Sequence, residues 1–153
     1  MKSLRASAYL LRDRYFIYAS DVTTAGLWLA APEFVSLSLK SSEFELGQAV
    51  LSVLERSGRT VPHPTEWGGL STPRLVAAGV KSEKAFNNGA RLVTVCRTAL
   101  GTEIQPTFNG GATGPNRGFT DLLDTTICLD NRTPPLEFGQ AIISALALCT
   151  HQP

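Results

Sequence analysis

One stretch of this chain is written twice, and that repetition limits the fold more than any other feature. Ser42-Glu43-Phe44-Glu45-Leu46-Gly47-Gln48-Ala49-Val50-Leu51-Ser52-Val53-Leu54 returns as Pro134-Pro135-Leu136-Glu137-Phe138-Gly139-Gln140-Ala141-Ile142-Ile143-Ser144-Ala145-Leu146, without a gap, at a constant offset of 92 residues (47 to 139). Between Glu45 and Leu54 six positions repeat identically, and the other four exchange one apolar residue for another. Average amino-acid usage gives roughly one match in such a window. The chain is internally duplicated, so its fold must place two copies of one element in equivalent surroundings.

Both copies read as helices. Leu46, Ala49, Val50, Val53 and Leu54 fall at helical spacing on one stripe. Ser42 followed by Glu45 is a capping box, in which hydroxyl and carboxylate satisfy two free N–H groups reciprocally. In the second copy Thr133 is the expected N-cap, with Pro134 at the first helical position. A helical glycine costs about 1 kcal/mol against alanine, yet Gly47 and Gly139 recur at one position. The spacing predicts close approach of another backbone there, either a strand or the sister helix.

Around these helices the pattern is strand-like. Tyr15–Tyr18 is aromatic and β-branched, Gly26–Ala30 forms a second run bounded by Pro32, and Val35, Leu37 and Leu39 alternate onto one face. Residues 2–12 fit a short helix or an extended arm equally well. Arg59 to Thr72 is read as loop, Leu75–Gly79 as a short helix and Lys81–Gly89 as a helical turn. Arg91–Arg97 and Glu103–Thr107 are expected to form a hairpin through Gly101, followed by the glycine-rich stretch Asn109–Gly118. Thr125–Leu129 matches the Val35–Leu39 strand at the helix offset. The expected fold is a single α+β domain over 1–153, with a mainly antiparallel sheet and helices packed on it. Its two pseudo-repeated strand–helix halves cover approximately 12–57 and 91–150 and are related by an approximate two-fold.

The length suits one domain with a real core. A net charge of +1 supplies no field for nucleic acid or an anionic membrane, and no apolar run approaches a membrane span. Arginines interrupt the N-terminal stretch where a signal peptide needs an apolar core, so the expected location is the cytoplasm. Cys96, Cys128 and Cys149 sit in apolar segments and read as reduced core residues.

Reactive constellations are scarce. His63 and His151 have no Cys, Asp or Glu at ligand spacing, so they read as solvated loop residues and no metal or cofactor is expected. The loop Gly110–Gly118 invites a phosphate-binding reading, but it lacks a Gly-Lys-Ser/Thr ending; a flexible surface loop or a partner contact are the alternatives. Glu43, Glu45 and Glu137 sit in first helical turns, which explains them structurally. Asp121, Asp124 and Asp130 flank the second half's strand and either solvate its ends or meet a basic partner. Trp67, beside Glu66 in a loop rich in proline and glycine, either tucks onto the core or anchors a partner. A globular domain of this kind is expected to work by binding and not as an enzyme.

The order Pro73-x-Leu75, Ala78-Gly79-Val80-Lys81-Ser82, Phe86, Gly89-Ala90-Arg91-Leu92-Val93-Thr94-Val95, then Ile104-Gln105-Pro106 and Gly118-Phe119, resembles the CdiI immunity proteins of contact-dependent growth inhibition. The repeated Leu/Phe-Gly-x-Ala-x-x-x-x-Leu helix starts fit the same pattern, and the resemblance spans most of residues 12–150. It implies a bacterial cytoplasmic protein that binds the C-terminal toxin domain of a cognate CdiA, typically a nuclease, as a monomer in a 1:1 complex. Many inhibitors of basic nucleases are markedly acidic, whereas this chain is near neutral, which argues against a wholly electrostatic capture. The expected contact residues are Glu66, Trp67, Asn116, Arg117, Asp121 and Asp124. Two other readings stand beside this one: a small enzyme or ligand-binding domain holding an anionic substrate at Gly110–Gly118, and a module that self-associates through its duplicated helices.

Overall fold

The computed structural model describes residues 2–152. In chain order the elements are β1 (Leu4–Leu10), β2 (Arg14–Thr23), β3 (Trp28–Ser38), α1 (Glu43–Glu55), β4 (Thr60–Val61), α2 (Thr72–Ala78) and α3 (Glu83–Asn87). They continue as β5 (Arg91–Thr98), β6 (Gly101–Asn109), β7 (Phe119–Asp121), a 3-10 turn (Leu123–Thr125), β8 (Ile127–Leu129), α4 (Pro135–Leu148) and β9 (Thr150–His151). The described strands form one sheet of order β3-β2-β1-β5-β6-β7, with β4 beside β2 and both β8 and β9 beside β6. Every pairing is antiparallel except the two short ones, β4 on β2 and β9 on β6. The α+β class and mainly antiparallel sheet are as the sequence indicates.

The duplication governs the topology. At the centre of the sheet β1 pairs with β5 so that Leu4 faces Arg97, Leu10 faces Arg91, and Ser7 faces Thr94 at the midpoint. Outward from that pair, β2 matches β6, and β3 matches the broken edge made by β7 and β8. Each half then crosses over through its helix and ends in a short strand parallel to its own second strand. The repeat is therefore wider than 12–57 and 91–150. Its first half starts at Leu4 and closes at Val61, because the stretch 2–12 contains a central strand.

Glycine closes the helix layer. A Cβ on Gly47 would lie 1.9 Å from the Pro135 carbonyl oxygen, and one on Gly139 would lie 1.8 Å from the Glu43 carbonyl oxygen. The sister helix, not a strand, is the close neighbour, and the contact is reciprocal, as an axis through Ser7/Thr94 requires. The Ser42–Glu45 capping box forms as expected, with N–H to oxygen distances of 3.1 Å in both directions. The cap of α4 moves by one residue: Pro134 occupies the N-cap and Pro135 the first turn, while the Thr133 hydroxyl donates to the Asp130 carbonyl.

The two faces of the sheet carry different cores. On one side Ala6, Ala8, Ile17, Val93, Val95 and Ile104 meet Leu46, Val50, Val53, Leu54, Phe138 and Ile142 of α1 and α4. On the other side Tyr9, Phe16, Tyr18 and Leu92 meet Ala78 and Phe86, carried by α2 and α3. The second core covers only part of that face. Two further differences from the sequence reading concern β3. It is one strand through Pro32, tolerated because β3 is an edge and its pairing with β2 slips between Tyr18 and Ser20. Leu39 lies beyond the strand and is exposed, while Val35 and Leu37 pack on the core.

Candidate functional site

Beside the aromatic core under α2 and α3, the same sheet face opens into a recess of about 230 Å³. Strand alternation decides what lines it. With Ala6 and Ala8 turned to the helix layer, Arg5, Ser7 and Tyr9 of β1 face the other way. By the observed registers Ser7 stands opposite Tyr18 on one side and Thr94 on the other. Ser7, Ser20 and Thr94 make a floor of small side chains, with Trp28, Tyr9, Tyr18 and Phe119 among the larger residues around them. Small side chains at the middle of a sheet beside large ones leave a depression, and this one lies on the axis relating the two halves.

The floor is polar and unengaged. Ser7, Ser20 and Thr94 are 6%, 6% and 7% exposed. Among the described residues no protein group hydrogen-bonds to their hydroxyls, whereas the Thr107 hydroxyl donates to the Leu92 carbonyl at 2.7 Å. Buried hydroxyls normally find partners, so these are groups served through the recess. The Tyr9 and Tyr18 hydroxyls lie 3.3 Å apart. Burial, followed by the neighbouring Tyr18, raises the Tyr9 pKa well above its ordinary value, so Tyr9 stays neutral.

Charge is distributed unequally across the axis. On the first half the Arg5 guanidinium lies 5.9 Å from the centre of the Trp28 ring. On the second half Asp121 lines the recess, and exposed Glu103 stands on β6 between Cys96 and Cys128. The four ion pairs among the described residues use Asp13, Glu33, Asp21 and Glu83, leaving Glu103, Asp121 and Asp124 free. Of the three thiols expected in the core only Cys149 is buried, because Cys128 sits on an exposed position of β8; Cys96 is half-buried. Burial pushes its pKa up, Arg5 pulls it down, and Glu103 and Asp121 push it up again.

The structure separates the residues singled out from sequence. Glu66 and Trp67 are exposed on the loop after β4, at the Thr23 end of β2. Asn116 and Arg117 are exposed on the loop after β6, at the Asn109 end, which the strand registers place at the opposite end of the sheet. Asp124 is exposed in the 3-10 turn, and Asp121 alone enters the recess. Trp67 does not tuck onto the core: it is half exposed and meets the His63 ring edge-on, with centroids 5.3 Å apart. His63 is tied to the sheet through Nδ1 and the Thr23 hydroxyl at 2.9 Å. Arg5, Ser7, Ser20, Trp28 and Thr94 escaped the sequence reading because only the β1–β5 register brings them together.

The glycine-rich loop faces a separate groove of about 790 Å³, bordered by Lys84, Asn88, Asn109 and His151. Several of its backbone donors are turned inward. The Gly110 N–H donates to the Gly118 carbonyl and the Gly118 N–H to the Gly111 carbonyl, both at 2.8 Å, while the Gly111 N–H donates to Asn109 Oδ1 at 2.9 Å. A phosphate cradle needs convergent free N–H groups, and here those of Gly110, Gly111, Arg117 and Gly118 are spent within the loop. Among the described residues no group of three His, Cys, Asp or Glu side chains is placed to hold a metal, and no helix is long and apolar enough to cross a membrane.

No known protein family matches the chain, and no curated protein matches its sequence. Solved structures match over nearly the whole length. The fold is similar to a protein of unknown function from Neisseria meningitidis, with a TM-score of 0.76 and 16% identity over 97% of this chain and 96% of that one. It is also similar to a chain of the CdiA-CT/CdiI toxin and immunity complex from Yersinia pseudotuberculosis, with a TM-score of 0.73 and 17% identity over 98% and 99%. At these identities the likeness is one of fold.

Proposed function

We propose that this chain is an immunity protein that binds the C-terminal toxin domain of a cognate CdiA, a nuclease in this reading, and silences it in the bacterial cytoplasm. The carrying observation is the end-to-end fold similarity to a chain of a toxin and immunity complex, reached independently of the residues that resemble CdiI proteins. The inhibitor acts by occupancy and catalyses nothing, as one chain per toxin. A specific contact of this type covers roughly 800 Å² on each side, and the part of the sheet face left open beside α2 and α3, which holds the recess, lies outside the helix layer. Against the glycine-loop enzyme reading, the N–H groups of Gly110, Gly111, Arg117 and Gly118 are already engaged within the loop.

The test is growth. Cells induced to make the toxic domain encoded immediately upstream of this chain should stop dividing, and co-expression of the chain should restore division. Arrest that persists despite abundant, folded chain would refute the proposal.

A further inference from the structure

We infer that the recess over the Ser7–Thr94 pair is the seat of one basic side chain, lysine or arginine, presented by the protein partner. This rests on the immunity reading and adds where the partner is gripped and by what chemistry. Ser7, Ser20 and Thr94 are more than nine-tenths buried as residues, and among the described residues their hydroxyls have no protein partner, so each reaches out only through the recess. They offer lone pairs at the floor, where an incoming N–H donor would be shielded from water. Among the described residues Asp121, which lines the same recess, has no ion pair, and neither does Glu103 on the neighbouring strand. The aromatic side chains of Tyr18, Trp28 and Phe119 suit the alkyl stem of a long cationic side chain.

Among the described residues Arg5 is the one cation that lines the recess, and it lies over Trp28 on the half away from Asp121. A guest cation is therefore directed to the Asp121 side and repelled from the other. The pseudo-symmetric floor thus acquires a single direction, and this local polarity operates although the chain as a whole carries only +1.

The experiment measures affinity of the full chain for the toxin domain encoded upstream, at low and high salt, for wild type, Asp121→Asn, Thr94→Val, Ser7→Ala and the distant surface control Glu55→Gln. Charge-assisted contacts of this kind imply a roughly ten- to hundred-fold loss for Asp121→Asn, with a flatter salt dependence. Thr94→Val and Ser7→Ala should weaken binding by smaller factors, and the control should not. Alanine scanning of the partner's lysines and arginines should then find one whose loss is no longer additive with Asp121→Asn. A wild-type complex that tolerates Asp121→Asn, or whose basic residues all remain additive with it, overturns this inference and leaves the immunity reading standing. No complex with the wild-type chain removes both. Asp121 is exposed, so its substitution leaves the fold intact; thermal unfolding of each variant checks this.

Discussion

Adding one methyl group to Gly47 or Gly139 would drive it to within 2 Å of a carbonyl oxygen on the other helix. Alanine would gain about 1 kcal/mol of helix propensity, but overpacking typically costs about 1–3 kcal/mol and more against rigid backbone. Gly47→Ala and Gly139→Ala should each lower stability by at least about 2 kcal/mol, read from the urea midpoint; a gain in either would contradict the helix contact. The recurrence of glycine made this approach legible in the sequence, although only the structure chooses the sister helix over a strand. Tyr9 gives a second residue-level expectation. Its pKa is raised in the folded chain, so above about pH 10 the unfolded chain releases a proton that the native one keeps. Stability contributed by neutral Tyr9 should therefore be intact at neutral pH and fall as pH rises past that range. Tyr9→Phe should flatten this alkaline loss, and an unchanged slope in pH-dependent unfolding would count against the buried assignment.

At the scale of elements, the short helices α2 and α3 form a cover fastened by few contacts. Phe86 plugs the aromatic core, Arg74 lies over its ring at 4.3 Å, and Arg74 also pairs with Glu83. Arg74→Ala should speed amide exchange across 72–89 by roughly ten-fold, as the loss of about 1–2 kcal/mol of local stability implies, while the amides of β1 and β5 stay protected. Uniform loss of protection across the sheet would instead make the cover part of the global core. The main helices and the β5–β6 hairpin were readable because their periodicity is clean. β1 was not, since Ala6 and Ala8 on its buried side contrast too little with Ser7 and Tyr9 on the other. Two-residue strands such as β4 and β9 carry no period at all; symmetry reveals them, since each follows its helix and joins the second strand of its own half.

The whole molecule is a two-fold scaffold whose axis runs through a glycine contact in the helix layer and a hydroxyl pair in the sheet. The halves were legible from the repeated helix. The recess was not, because its residues come from β1, β2, β3, β5, β6 and β7 and meet only through register. Exposed loops drew attention to Glu66, Trp67, Asn116 and Arg117, which the sheet carries to opposite ends, so one compact partner patch need not include both pairs. The most direct trial of the proposed function is titration calorimetry between this chain and the C-terminal domain of the protein encoded immediately upstream. One chain per toxin and a dissociation constant of about 10 nM or tighter are expected, in the range of specific inhibitory complexes. No heat and no complex at micromolar concentrations of both folded proteins would contradict it.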